Sequence, residues 1–142
     1  MYSMSYEELL ARAHGVSRRY QQFRSRFSEF YGLASELAAS AGPVPGIVVE
    51  PHLDADHFDV VFAGRRVRFA FVFALTSDGA TAGTVECRLL KGDVVQLVHL
   101  FGFDGNGITN AKPPRADEPL ALDVRSNVWY LILCGLLSAL EA

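Results

Sequence analysis

Residues 66–75 read RVRFAFVFAL. Val67, Phe69, Phe71, Phe73 and Leu75 fall at every second position, which places all five on one face of an extended strand. The preceding run repeats the pattern, with Phe58, Val60 and Phe62 matching them. Working outward, period-two segments are expected at 47–50, 57–63, 66–75, 84–90 and 94–103. Gly64-Arg65, Ser77-Asp78-Gly79, Lys91-Gly92-Asp93 and Asp104-Gly105-Asn106-Gly107 separate them as turns. Connections this short favour an antiparallel meander over parallel crossovers. A sheet face carrying so many phenylalanines requires helices on top of it.

The flanking segments supply them. Ser5 followed by Glu8 is a capping-box signature. Tyr6, Leu9, Ala13, Val16, Tyr20, Phe23, Phe27, Phe30, Ala34, Leu37 and Ala41 then recur at spacings of three and four, one stripe down one helix. Gly42-Pro43 is a stop signal. A helix from residue 6 to 41 would be about 54 Å long, whereas a compact domain of this length is only about 37 Å across. Either the helix breaks at Gly15-Val16-Ser17 or it overhangs its own domain. An overhanging stripe would need a partner, most simply a second copy of the chain. The C-terminal segment from 123 to 141 is the second helix. Val128, Leu131, Ile132, Leu136 and Leu140 form its stripe, widened by Trp129, Leu133 and Leu137, so burial around much of its circumference is expected.

The expected fold is therefore α+β: a long N-terminal helix, an antiparallel meander of four to five strands and a C-terminal helix, packed in two layers. One domain spans residues 1–142, with 1–42 helical, 46–110 sheet and 120–142 the last helix. The 142 residues are half apolar, enough to bury a sizeable core. A net charge of −3 gives no general attraction to nucleic acid or anionic lipid. Cys87 and Cys134 each sit in an apolar run, which fits free thiols better than a disulfide framework. The N-terminus lacks the pattern of a secretory signal, and the longest apolar run is too short for a bilayer. A soluble cytoplasmic domain is the expectation, with neither a membrane nor a nucleic acid as partner.

The densest chemical cluster is PHLDADHFD, residues 51–59. Its H-x-D-x-D-H spacing resembles the H-x-H-x-D-H motif of the metallo-β-lactamase-fold hydrolases. The resemblance implies zinc ligands at His52, Asp56 and His57, with Asp54 standing where that family has a histidine. It covers six residues, and the family draws further ligands from distant loops, where this chain offers only His99 downstream. In an extended chain His52, Asp54 and Asp56 would face away from His57 and Asp59, so a turn or bulge must converge them. Read without a metal, the cluster is a polar connection into a strand.

Other polar groups yield weaker readings. Alternation puts Asp59, Arg66 and Arg68 on one side of the sheet, Glu86 and Arg88 together in the next strand, and Leu97 with His99 in the last. That surface is either a potential acid–base site or a set of cross-strand ion pairs. Arg12, Arg18, Arg19, Arg24 and Arg26 flank the aromatic stripe and read as its solvated border. DGNG at 104–107 resembles the start of a calcium loop, but Arg115 stands at the twelfth position, which favours a hairpin turn. No phosphate loop, nucleophile elbow or dinucleotide fingerprint is present.

The functional expectation is a small non-catalytic protein-binding or regulatory protein of the adaptor, inhibitor, immunity or chaperone kind, without a cofactor. It would self-associate through its N-terminal helix, with Tyr20, Phe23, Phe27 and Phe30 as anchors. Its rivals are a small metal-dependent enzyme built on residues 52–59, with His52, Asp54, Asp56 and His57 as ligands, and a domain that holds a small apolar molecule.

Overall fold

The computed structural model describes residues 4–40, 44–51, 56–75, 80–114 and 116–142. The order is α1 (Tyr6–Ala39), β1 (Val48–Glu50), β2 (His57–Phe62), β3 (Arg65–Leu75), β4 (Thr81–Lys91), β5 (Val94–Phe103) and α2 (Arg125–Glu141). The five strands form one antiparallel sheet in sequence order. Both helices lie on the same face of it, so the fold is the expected two-layer α+β arrangement.

The period-two stretch behaves as its spacing requires. Val67, Phe69 and Phe71 are buried, and their cross-strand partners Val60, Phe58, Leu89, Cys87 and Val85 are buried with them. The β2–β3 turn sits one residue earlier than expected: Phe62 pairs with Arg65, so Ala63 and Gly64 form the loop. Both have positive φ, +51° and +75°. That matches the twist of a two-residue hairpin, with an alanine tolerating the left-handed region at the first position.

The aromatic half of α1 closes the core. Phe30 is fully buried and packs its ring against Phe58, Phe69 and Phe101. Phe27 stacks on Phe71 at 5.7 Å and contacts Phe58. Phe58 and Phe69 are themselves a parallel stack, 5.3 Å apart with 2° between ring planes. One residue decides how close each helix comes. A Cβ on Gly83 of β4 would lie 2.6 Å from the Phe23 ring, and a Cβ on Gly135 of α2 would lie 2.7 Å from the Phe69 ring. Those absent methyls let both helices settle onto the sheet.

Of the two alternatives for α1 the unbroken helix holds: it runs through Gly15, whose backbone stays helical, because the stripe continues without a slip and one half-buried glycine weakens a helix by only about 1 kcal/mol. One expectation needs correction. α2 is less enclosed than its composition suggests: Val128, Leu131, Ile132, Leu136 and Ala139 are buried, but Leu137 and Leu140 are exposed. Only one face of α2 meets the sheet and α1, and nothing among the described residues lies on the other. DGNG is a turn as expected. The Asp104 carboxylate accepts hydrogen bonds from the backbone of Asn106 and Ile108, and the chain returns to pair Thr109 with Phe103.

Glycine-to-alanine substitutions in the two helices should therefore have opposite signs. Gly32→Ala, with open space around its Cβ position, should stabilise by roughly 0.5–1 kcal/mol through helix propensity. Gly135→Ala should destabilise by about 1–3 kcal/mol by driving a methyl into the Phe58–Phe69 stack. Urea midpoints of the two variants measure this, and a stabilised Gly135→Ala would refute the packing argument.

Candidate functional site

The first residue of α1 to be buried is Phe23. The fourteen residues 6–19, about 21 Å of helix, carry no buried side chain and extend α1 as a projection beyond its packed half. Ser5 caps them by accepting from the Glu8 backbone N–H at 3.2 Å, and Glu7 and Glu8 sit in the first turn, where carboxylates favour the helix N-terminus. Beneath this projection lies an open groove of about 550 Å³, lined by Leu9, Arg12, Ala13, Val16, Ser17 and Tyr20 of α1 and by Phe73 and Leu75 of β3. Leu9 and Leu75 are exposed at 37% and 44%, and Tyr6 beyond them at 76%. An apolar surface of this shape in water is a docking feature rather than a core.

The angle of the projection is fixed by polar contacts at its root. The Tyr20 hydroxyl donates to Asp56 Oδ2 at 2.7 Å, and Arg24 Nε donates to Asp56 Oδ1 at 2.7 Å. The backbone carbonyl of Asp56 in turn accepts from the Phe71 N–H, which ties the residue into the sheet. On the other flank, Gln22 Nε2 and Arg26 Nε both donate to the carbonyl of Gly105 at the DGNG turn, at 2.9 and 3.1 Å. Burial acts to raise the pKa of Asp56, but the hydrogen bonds from Tyr20 and Arg24 outweigh it and hold the carboxyl below its usual range. The same bond raises the Tyr20 phenol, which would have to ionise beside a carboxylate.

The four aromatics proposed as anchors separate into two groups. Phe23, Phe27 and Phe30 are at most 5% exposed and pack within their own chain, so a partner has no access to them. Tyr20 is half-buried and lines the groove. The accessible part of the stripe lies one to four turns nearer the N-terminus, at Tyr6, Leu9, Ala13 and Val16. Sequence spacing showed the stripe but not the point along it where burial begins, at Phe23.

Of the four residues proposed as metal ligands, His52 and Asp54 lie outside the described residues. Asp56 has both carboxylate oxygens engaged by Tyr20 and Arg24, and His57 stands in β2 opposite Ala70. Among the described residues no group of three or more His, Cys, Asp or Glu side chains is placed to hold a metal ion.

The polar sheet face is a ladder of ion pairs. Register aligns Glu50, Asp59, Arg68, Arg88 and Leu97 across all five strands. Asp59, only 2% exposed, accepts from Arg68 Nε at 2.9 Å and Nη2 at 3.2 Å, a bidentate pair, and from Arg66 Nη1 at 3.4 Å. Arg66 also bonds Glu50, and Arg88 bonds Glu86. His99 does not join them. A register shift between Cys87 and Arg88 sets Leu97 opposite Arg88 but His99 opposite the buried Cys87, on the helix-covered face. The alternation expected for Leu97 and His99 is reversed by that bulge. Burial lowers the His99 pKa and raises that of the Cys87 thiol, disfavouring the charged form of each. Neither group has the setting of an acid–base or nucleophilic centre.

No family model matches the chain, and no curated protein or solved structure matches it. Among the described residues no helix is long and apolar enough to cross a membrane.

The tether at the root of the projection is testable by its pH dependence. The folded-state pKa of Asp56 is depressed, so its contribution is full above the unfolded carboxylate range and disappears as pH falls through the lower folded value. Asp56→Asn should lower the urea midpoint at neutral pH, and its deficit against the parent chain should shrink as acid protonates Asp56. A deficit that stays constant with pH would show that the tether is not ionic.

Proposed function

We propose that this protein is a non-catalytic protein-binding module, regulatory in kind, that self-associates through the projecting half of α1. One observation carries the reading: the apolar stripe continues N-terminal of the first buried residue of α1, leaving Leu9, Ala13, Val16 and Tyr20 facing an open groove with Phe73 and Leu75. Burying a leucine or valine side chain is worth about 1.5–3 kcal/mol. Several such residues held in a stable helix therefore make a credible association surface.

The competing readings have less support. An enzyme needs converging polar groups in a concave site, whereas the charged residues here face one another in closed pairs. A small-molecule binder needs an enclosed cavity, and this groove opens to solvent along its length. A second helix, laid against a stripe of three- and four-residue spacing, matches its geometry better.

Light scattering on a sizing column is the test. The parent chain should elute with twice the mass of one chain at micromolar concentration. Leu9→Glu with Val16→Glu should elute as a monomer whose melting temperature falls only by the stabilisation that association gave the parent, since neither residue lies in the core. Phe27→Ala should instead destabilise the fold by about 3–5 kcal/mol. A parent chain that stays monomeric into the hundreds of micromolar would refute self-association.

A further inference from the structure

The two edges of the sheet are defended differently. β1 is three residues long and is followed by Pro51, a short edge closed by a residue that cannot donate to a ladder. β5 is ten residues long and contains no Lys, Arg, Asp, Glu or Pro. It stands last in the strand order, and among the described residues nothing pairs with its outer edge from Val94 to Phe101. Val94, Val95, Leu97 and Leu100 are 62%, 54%, 43% and 50% exposed. A long uncharged edge of this kind is a template for a further strand.

The chain closes only the last step of this edge. The Gly102 N–H donates to Asn110 Oδ1 at 3.0 Å, and the Gly102 carbonyl accepts from the Asn110 N–H at 2.9 Å. Gly102 thus turns both backbone groups away from β4, and alternation gives Leu100 the same orientation. Val98 and His99 together oppose Cys87, a bulge that counts as one step and sets Val98 against the core. Leu97 and Val95 therefore also turn outward, each leaving an N–H and a C=O for a further strand. Val94 and Gln96 stand opposite Lys91 and Leu89 on the helix side, yet both are exposed, so α2 does not overhang this half of the edge.

We infer that β5 pairs antiparallel with β5 of a second copy, Leu97 lying on the two-fold axis, and joins two sheets into one. The bare stretch is self-complementary in that register alone. Leu97 faces the partner's Leu97 and Val95 faces the partner's Leu100, so all three outward residues meet outward residues and their apolar side chains form one row on the open sheet face. Moving the axis one step sets Leu100 against the Gly92-Asp93 turn, or Val95 against Gly102, whose backbone Asn110 already occupies. The unpaired main-chain groups call for a strand, and an edge without charge does not repel its own kind. This contact is separate from the α1 groove. One strand pair falls short of the roughly 800 Å² per partner of a standard interface, so it is the weaker of the two and links α1 pairs to one another at higher concentration.

Sedimentation equilibrium on the full chain carrying Leu9→Glu and Val16→Glu isolates the contact. That chain, monomeric at micromolar concentration, should form dimers at roughly several hundred micromolar. Adding Leu97→Glu sets two carboxylates against each other on the axis, while Arg88 neighbours each within its own chain, and should keep the chain monomeric. Cysteines report the register, since paired Cα atoms about 5.5 Å apart lie within disulfide reach. With Cys134→Ser, and with Cys87 buried, Leu97→Cys should crosslink to a second copy in glutathione disulfide. Leu100→Cys should not, whereas Val95→Cys with Leu100→Cys should. A chain that stays monomeric throughout, a dimer untouched by Leu97→Glu, or Leu100→Cys crosslinking as readily as Leu97→Cys would each overturn the β5 contact and leave the α1 reading standing. A parent dimer lost with Leu97→Glu but indifferent to Leu9 and Val16 would support the β5 contact and remove the α1 reading. Melting temperatures of dilute samples within a few degrees of one another confirm that each variant is folded.

Discussion

The contact between the aromatic half of α1 and the phenylalanine face of the sheet is the constraint from which the other features follow. Phe27 and Phe30 sit on Phe58, Phe69, Phe71 and Phe101. No described residue bears a charge within this cluster, and the rings meet at the offset and tilted angles that their quadrupoles favour. Because α1 supplies only one narrow stripe, its axis and its rotation are both fixed by the rings. Gly83 and Gly135 set the height of the helices above the sheet by what they omit.

Once that half is fixed, the other half has no freedom to fold back. A helix of fourteen residues is marginal alone in water, but here it continues a packed helix and needs no nucleus of its own. It is further held by Ser5 at its start and by Asp56 and Gly105 at its root. The groove lies between a helix set by the core and Phe73 and Leu75 at the end of β3. Both of its walls are regular elements. That gives it a rigidity which a loop-built site would lack, and a preformed surface loses less entropy on association.

The polar residues that invited chemical readings serve the architecture. Asp59 lies under the arginines of β3 on the open sheet face. Burying that carboxylate is tolerable because Arg68 meets both of its oxygens. Asp56 joins the same chain segment to α1 instead of to a metal-binding set. Simple alternation puts His99 on the wrong side of the sheet because it assumes an unbroken ladder, and one extra residue in β5 reverses every side chain before it relative to those after.

Sequence alone determined the element order, the antiparallel meander, the aromatic core face and the two helices. These depend on periodicity, and periodicity is local: RVRFAFVFAL can hide its phenylalanines only as a strand, and the stripe from Tyr6 to Leu37 only as a helix. It also contained the central conflict, a helix longer than its domain. Tertiary structure decided how that conflict resolves, because whether a residue on a stripe is core or interface depends on what lies opposite it. Phe23 and Val16 occupy equivalent stripe positions one heptad apart. The first is buried because Gly83 admits it to the sheet, and the second is only half-buried because it faces the open groove beside Phe73 and Leu75.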